Sequence, residues 1–292
     1  MKIAILILVH EASEQQKKLI SYLSEYFDVY VHIDKRTAIN VNTFLGDNIF
    51  VFKKYRVYWG SYNQILATFF LFKEANKKQY DRYLFISGAD IPLKTGEEIK
   101  AFFKNNNKEY FESFELPVSW WNDNGGFDRI DFYYPNALRR GRSTLLEKLV
   151  EKIFNKINSY IIPFAKKHKL HRSHMKIRFY GGANWMNLTN NCVNQIVKFL
   201  ENNKKFLRRF QFTMNADEIF FQTIIHNYVK NVEIINDCLR YIDWETGPEY
   251  PRILRLEDYN KIKNSSCLFA RKFNHNVDNV IIDKLYTDIR NN

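Results

Sequence analysis

Cysteine is scarce in this chain of 292 residues: there are three, Cys192, Cys238 and Cys267, and they are widely separated. So few thiols exclude a disulfide framework and a cysteine-based zinc site, and they point to a reducing compartment. Long apolar runs are missing too; no window approaches the roughly 20 residues needed to span a bilayer. The opening "MKIAILILV" is short, lacks a small-residue cleavage site and runs straight into His10 and Glu11. It reads as a first buried strand rather than a signal peptide. Neither a GxxxxGK[ST] phosphate loop nor a GxGxxG dinucleotide fingerprint occurs. The seven histidines form no zinc pattern; His168, His171 and His174 come nearest, with no acid among them. No internal repeat, low-complexity tract or linker is present.

What is present is a globular composition, 46% hydrophobic and 26% charged, with a high aromatic share of 16%. Tyr and Trp rings suit cores, sugar-binding surfaces and membrane interfaces, because each joins an apolar face to a polar edge. The net charge of +12 calls for an anionic partner. Nucleic acid, a phosphorylated substrate and anionic lipid all qualify, and charge alone does not choose among them.

Strand and helix signals alternate along the first hundred residues. Strands are expected at Lys2–Val9, Val29–Ile33, Asn48–Phe52 and Arg82–Ser87, with helices over Ser13–Phe27 and Tyr62–Ala75. Ser13 is a good N-cap, and Thr95 with Glu98 forms a capping box that opens a helix toward Asn105. This alternation predicts an α/β fold with a mostly parallel central sheet flanked by helices. Further on, Arg129–Tyr134 reads as a strand, "GGANWMNL" (Gly181–Leu188) as a turn into a strand, and Thr189–Asn202 and Asn215–Val229 as helices. One domain, 1–292, is expected, with a basic helical insertion around 139–178. That stretch holds only two acids, Glu147 and Glu151, and its apolar residues from Leu145 to Ile161 repeat at helical spacing until Pro163 interrupts. Two readings stand: a basic amphipathic helix on an anionic membrane face, or a core-packed helix with a solvated basic side.

Three groups of residues invite a chemical reading. Asp90, in "LFISGADIPLKT" (Leu84–Thr95), lies at the carboxyl end of the fourth strand, where open parallel sheets bind ligands. It is either a ligand contact or an Asx-type brace of its own turn. Glu218, in "NADE", stands three residues after a potential N-cap, Asn215. It is either the returning arm of a capping box or a rigidly held general base. The third group is cationic: Arg252 and Arg255 in "PRILRLED", and Arg271 and Lys272 in "LFARKFN". Such groups can neutralise a diphosphate without metal, or they can be a solvated basic surface.

Seven stretches in order resemble the Core-2/I-branching glycosyltransferase family, which includes the peptide O-xylosyltransferases. They are "LVH" (Leu8–His10), "VHIDKR" (Val31–Arg36), "VYWGSYNQI" (Val57–Ile65), "YLFISGADIPLKT" (Tyr83–Thr95), "YGGANWMNLT" (Tyr180–Thr189), "NADEIFFQTII" (Asn215–Ile225) and "LFARKF" (Leu268–Phe273). The resemblance implies a GT-A-type fold and an inverting transfer from a UDP-sugar to a hydroxyl, without a metal. The D-x-D pair of many other glycosyltransferases is indeed missing after the fourth strand, where Asp90 stands alone. By the same resemblance Glu218 is the catalytic base, and Lys272 with Arg252 or its rival Arg255 takes the diphosphate. Val9, His10, Asp34 and Arg36 would line the nucleoside; Asp90, Gly182, Trp185 and Arg129 would face the donor or acceptor sugar.

Unlike the animal members, the chain opens on no membrane anchor or stem and its cysteines do not supply their disulfides. A bacterial-type enzyme is expected, cytoplasmic or peripheral on the inner face of the cell membrane, with no cofactor beyond its UDP-sugar co-substrate. Its partners would be a UDP-GlcNAc or UDP-xylose donor, a glycan or lipid-linked glycan acceptor and an anionic membrane surface, with no nucleic acid. A non-catalytic basic module binding anionic lipid or nucleic acid is the alternative from another class. A retaining or hydrolytic enzyme is the third reading; it calls for a second carboxylate about 5–9 Å from the first, with Asp90 or Asp217 as the candidates.

Overall fold

The computed structural model describes residues 1–134, 145–168, 172 and 175–291. Strand β1 (Ile3–Val9) lies at the heart of a seven-stranded sheet and pairs in parallel with β2 (Asp28–Ile33) and β4 (Arg82–Ser87). Beyond β2 the parallel run ends at β3 (Ile49–Phe52). On the other side of β4 comes antiparallel β9 (Met186–Thr189), then β6 (Lys108–Phe111) and edge strand β10 (Glu233–Ile235). The sheet is therefore mostly parallel, as the strand–helix alternation predicts.

The unbroken apolar run of β1 follows from burial on both faces. Ala4 and Leu6 enter one core with Ile65 and Phe72 of α2 (Tyr62–Asn76), Ile196 of α6 (Asn190–Asn202) and Phe220 of α8 (Asp217–Tyr228). Ile3, Ile5 and Ile7 enter the other, with Leu19 and Leu23 of α1 (Glu14–Ser24), Ile99 of α3 (Gly96–Phe103) and Leu285 of α10 (Asn279–Asn291). The caps expected at Ser13 and Thr95 both form: the Gln16 N–H donates to the Ser13 hydroxyl, and Thr95 and Glu98 exchange bonds reciprocally.

Small elements gather above the strand ends. A three-stranded sheet joins β11 (Arg240–Ile242), β12 (Phe269–Arg271) and β5 (Ile91–Pro92), with Ala270 opposite Ile91. It brings the late segment 269–273 alongside the turn after β4, and the Phe273 N–H donates to the Ala89 carbonyl at 2.9 Å. A short ribbon pairs β7 (Phe114–Glu115) with β8 (Tyr180–Gly181). Helices α7 (Lys204–Arg209) and α9 (Tyr259–Lys263) complete the frame.

Two expectations are corrected. Residues 129–134 do not form a strand: Asp128–Asp131 is the short helix α4, and it follows a turn built on Gly125 at φ 62°. Helix α5 runs from Leu145 to Lys167 straight through Pro163 rather than stopping there. Proline removes one bond, to the Ser159 carbonyl, but Pro163 is exposed, so water can take the freed acceptor. Of the basic stretch, Arg139, Arg140, Arg142, Lys169, His171 and His174 lie outside the described residues. Among the described residues no helix is long and apolar enough to cross a membrane.

Candidate active site

Glu218 occupies the first turn of α8, but not as a cap. Asn215 takes a left-handed conformation (φ 49°) and donates its N–H to the Gly60 carbonyl at 2.9 Å. No side chain caps the helix, so the capping-box reading fails. Glu218 Oε2 instead accepts from Arg129 Nη1 at 2.7 Å, and Arg129 Nε bonds to Asp123. The Arg129 guanidinium lies 3.6 Å from the Trp121 ring. Oε1 of Glu218 has no hydrogen-bond partner among the described residues, and the side chain is 34% exposed, so one oxygen is held and one is open. Burial pushes the Glu218 pKa up, and Arg129 opposes the shift.

Asp217, the neighbour of Glu218, is buried. Its Oδ2 accepts from Gln64 at 2.8 Å and from Asn184 at 3.2 Å, while Oδ1 has no partner. Burial first, then the charge of Glu218, pushes its pKa up to about 7. Gly60 donates to the Gln64 side chain, so two motifs more than 150 residues apart form one unit beneath Glu218. Gly182 fastens the other side: its N–H donates to the Glu218 carbonyl at 2.9 Å. A Cβ there would stand 2.0 Å from the Glu112 carbonyl oxygen. Gly182 is thus a close-packing residue beneath Glu218.

Asp90 is 0% exposed, and its oxygens accept from the Ser87 hydroxyl at 2.7 Å and the Ser87 N–H at 3.2 Å. Arg271 Nε stands 3.3 Å away and Arg240 Nε 4.0 Å. Asp90 therefore braces its turn and pairs with two guanidiniums; it does not floor the sugar site, because no part of it reaches solvent. Trp185 is corrected likewise, since its ring carries the Arg271 guanidinium at 3.9 Å. Arg271 is held between Asp90 and the Trp185 ring, and its terminal nitrogens have no hydrogen-bond partner among the described residues. The retaining reading loses both candidates for its second carboxylate, because Asp90 is sealed and Asp217 is buried among amide donors.

The other cations separate. Arg252 pairs with Asp258 at 3.0 Å and with Glu257, and also donates to the Gly247 carbonyl at 2.6 Å. Arg255 donates to Glu249 at 3.1 Å and to the Ile253 carbonyl at 2.7 Å. Both arginines are thus tied to their own loop. Lys272 is partly exposed, and its ammonium has no hydrogen bond or ion pair among the described residues.

At the strand ends, the Asp34 N–H donates to the Val9 carbonyl at 2.8 Å, which brings β1 and β2 together as expected. The Asp34 carboxylate is saturated, however. It accepts from the Arg36 N–H at 2.9 Å, the Val57 N–H at 3.0 Å, Arg36 Nε at 2.8 Å and Arg36 Nη2 at 2.6 Å. With Asp34 1% exposed and Arg36 also donating to the Val57 carbonyl, this pair stiffens the loop between the strand ends. Val9 is buried, while His10 is exposed and has no polar side-chain partner among the described residues. The sequence reading passed over Trp121 and Gln64, whose roles depend on contacts that no local spacing signals. Among the described residues, no three His, Cys, Asp or Glu side chains cluster as a metal site would require.

A mostly parallel sheet with a carboxylate on a helix start beside its strand ends is an arrangement of the GT-A type. The Core-2/I-Branching enzyme family model matches residues 3–263, and the chain belongs to that family, a family of glycosyltransferases. Xylosyltransferase 2 of Rattus norvegicus is 23% identical over 314 residues, covering 97% of this chain and 33% of the relative. Beta-glucuronosyltransferase GlcAT14A of Arabidopsis thaliana is 20% identical over 284 residues, covering 95% of this chain and 56% of its own length. The chain thus spans about a third of the xylosyltransferases it matches. Among solved structures, a glycosyltransferase involved in glycosylation of the major capsid of PBCV-1 is 10% identical, with a TM-score of 0.40 over 93% of this chain and 92% of its own.

Proposed function

We propose that the protein is an inverting, metal-independent glycosyltransferase. It moves a sugar, GlcNAc or xylose, from a UDP-sugar to a hydroxyl of a glycan or lipid-linked glycan, in surface polysaccharide synthesis at the inner face of the cell membrane. The observation that carries this reading is the Glu218 carboxylate, with one oxygen pinned by Arg129 and the other open. In the reaction, Oε1 takes the proton of the acceptor hydroxyl as its oxygen bonds to the anomeric carbon from the face opposite the nucleotide. The bond from that carbon to the diphosphate oxygen breaks, and its electron pair leaves with UDP. The unpaired Lys272 ammonium and the terminal nitrogens of Arg271 supply positive charge to the departing diphosphate. A base whose pKa is raised by burial suits proton abstraction near neutral pH better than an ordinary carboxylate does.

The test is a thermal-shift panel of nucleotide sugars with and without EDTA, combined with transfer assays on Glu218→Gln. UDP compounds should stabilise selectively, EDTA should change nothing, and the variant should keep the shift while losing about 10²–10⁴-fold in transfer. Shifts that do not favour UDP, or a variant of undiminished activity, overturn the reading; shifts abolished by EDTA overturn its metal-free part.

A further inference from the structure

Helix α5 turns an apolar stripe toward solvent. Leu149, Ile153, Ile157, Tyr160, Ile161 and Phe164 are 42–68% exposed. At 3.6 residues per turn they occupy one arc of about 120° along the helix. Lys152, Lys156 and Lys167, all exposed, border that arc on one side. The opposite face is the one that packs: Ile162 and Ala165 lie against Phe132, Tyr134 and Met214. The core-packed reading of this helix therefore fails for the stripe, which no described residue covers.

An exposed apolar face edged by lysines fits an anionic bilayer, which offers acyl chains to the stripe and phosphates to the ammonium groups. The net charge of +12 acts in the same direction. A second copy fits worse in an antiparallel two-fold pairing along the stripe, which brings the like-charged lysine borders together. The helix is also fastened to the site. Met214 donates its N–H to the Arg129 carbonyl at 3.0 Å, and Lys166 pairs with Asp128, the neighbour of Arg129.

We infer that α5 is an in-plane anchor that lies in the headgroup region of an anionic bilayer and holds the Arg129–Glu218 site at the lipid surface. The inference commits the protein to one docking face, and it stands whether or not the chemistry assigned to Glu218 is right.

The experiment is co-sedimentation of the full chain with phosphatidylcholine vesicles, with or without roughly one-third phosphatidylglycerol. Wild type should pellet with the anionic vesicles and weaken as salt rises. The triple variant Ile153→Ser, Ile157→Ser, Phe164→Ser should lose at least about tenfold in affinity. Lys152→Glu with Lys156→Glu should lose about 25-fold or more, since each surface cation contributes about a factor of five. Both variants should retain the thermal shift given by UDP, which shows that they fold. Unchanged binding by the triple variant, or no binding by wild type, overturns the inference. So does a dimer seen by light scattering that the triple variant dissolves. Vesicle binding without a UDP shift would instead count against the transferase reading alone.

Discussion

Arg129 Nη1 donates to Glu218 Oε2 across 2.7 Å, and the same guanidinium rests 3.6 Å above the indole of Trp121. The carboxylate is thus aimed by a cation that is itself immobilised. The pair is tuned by opposition: burial favours the protonated acid, and Arg129 favours the carboxylate.

Removing the guanidinium leaves burial unopposed, so the pKa of the base must rise further. A base has to be deprotonated to act, and activity therefore climbs with pH through that pKa. In Arg129→Gln the acid limb of kcat/KM should move up by about one unit or more, and the rate at neutral pH should drop about 10–100-fold. Arg129→Lys should restore part of the profile. A pH–rate series on the three proteins checks this, and an unmoved acid limb would show that Arg129 does not tune the base.

Lys272 and Arg252 should respond in opposite ways. The Lys272 ammonium has no polar partner among the described residues, so Lys272→Ala should leave the melting temperature nearly unchanged and weaken UDP binding at least about tenfold. Arg252→Ala leaves the buried Asp258 carboxylate without its guanidinium. It should cost about 2 kcal/mol of stability with little change in UDP affinity per folded molecule. Calorimetric titration with UDP and denaturant melts separate the two effects.

His32 sits fully buried in β2, with Nε2 accepting the N–H groups of Lys54 and Tyr55 at 3.3 and 3.1 Å. Burial depresses its pKa from 6.5 to about 4. Between those values the unfolded chain binds more protons than the folded one, so stability rises with pH across the window. The contribution is complete above pH 6.5 and is lost as pH falls toward 4, an amount of about 3 kcal/mol. Urea melts from pH 4.5 to pH 7 should show the loss in wild type and a shallower slope in His32→Gln, which cannot take up a proton.

How much of this was legible beforehand depended on the range of the forces involved. The strands from β1 to β4, and the caps at Ser13 and Thr95, follow from local periodicity and from side chains three residues apart, and the structure keeps them. The box expected at Asn215 has the same spacing as that at Thr95. It fails because the Asn215 N–H finds Gly60, 155 residues earlier, as a better partner. The ion pairs of Arg252 and Arg255 lie within reach of local spacing, since Glu249, Glu257 and Asp258 stand within six residues of them. The link from Arg129 to Glu218 spans 89 residues, and nothing in the spacing of either residue announces it.

The single acid after β4 has a consequence beyond its own turn. Among the described residues Asp90 is the only counter-charge paired with both Arg240 and Arg271, and those two guanidiniums repel each other within a nearly dry interior. Replacing it by a neutral isostere would leave two facing positive groups with nothing between them. An exchange at any of the three positions should therefore destabilise the protein less when a matching exchange is made at another.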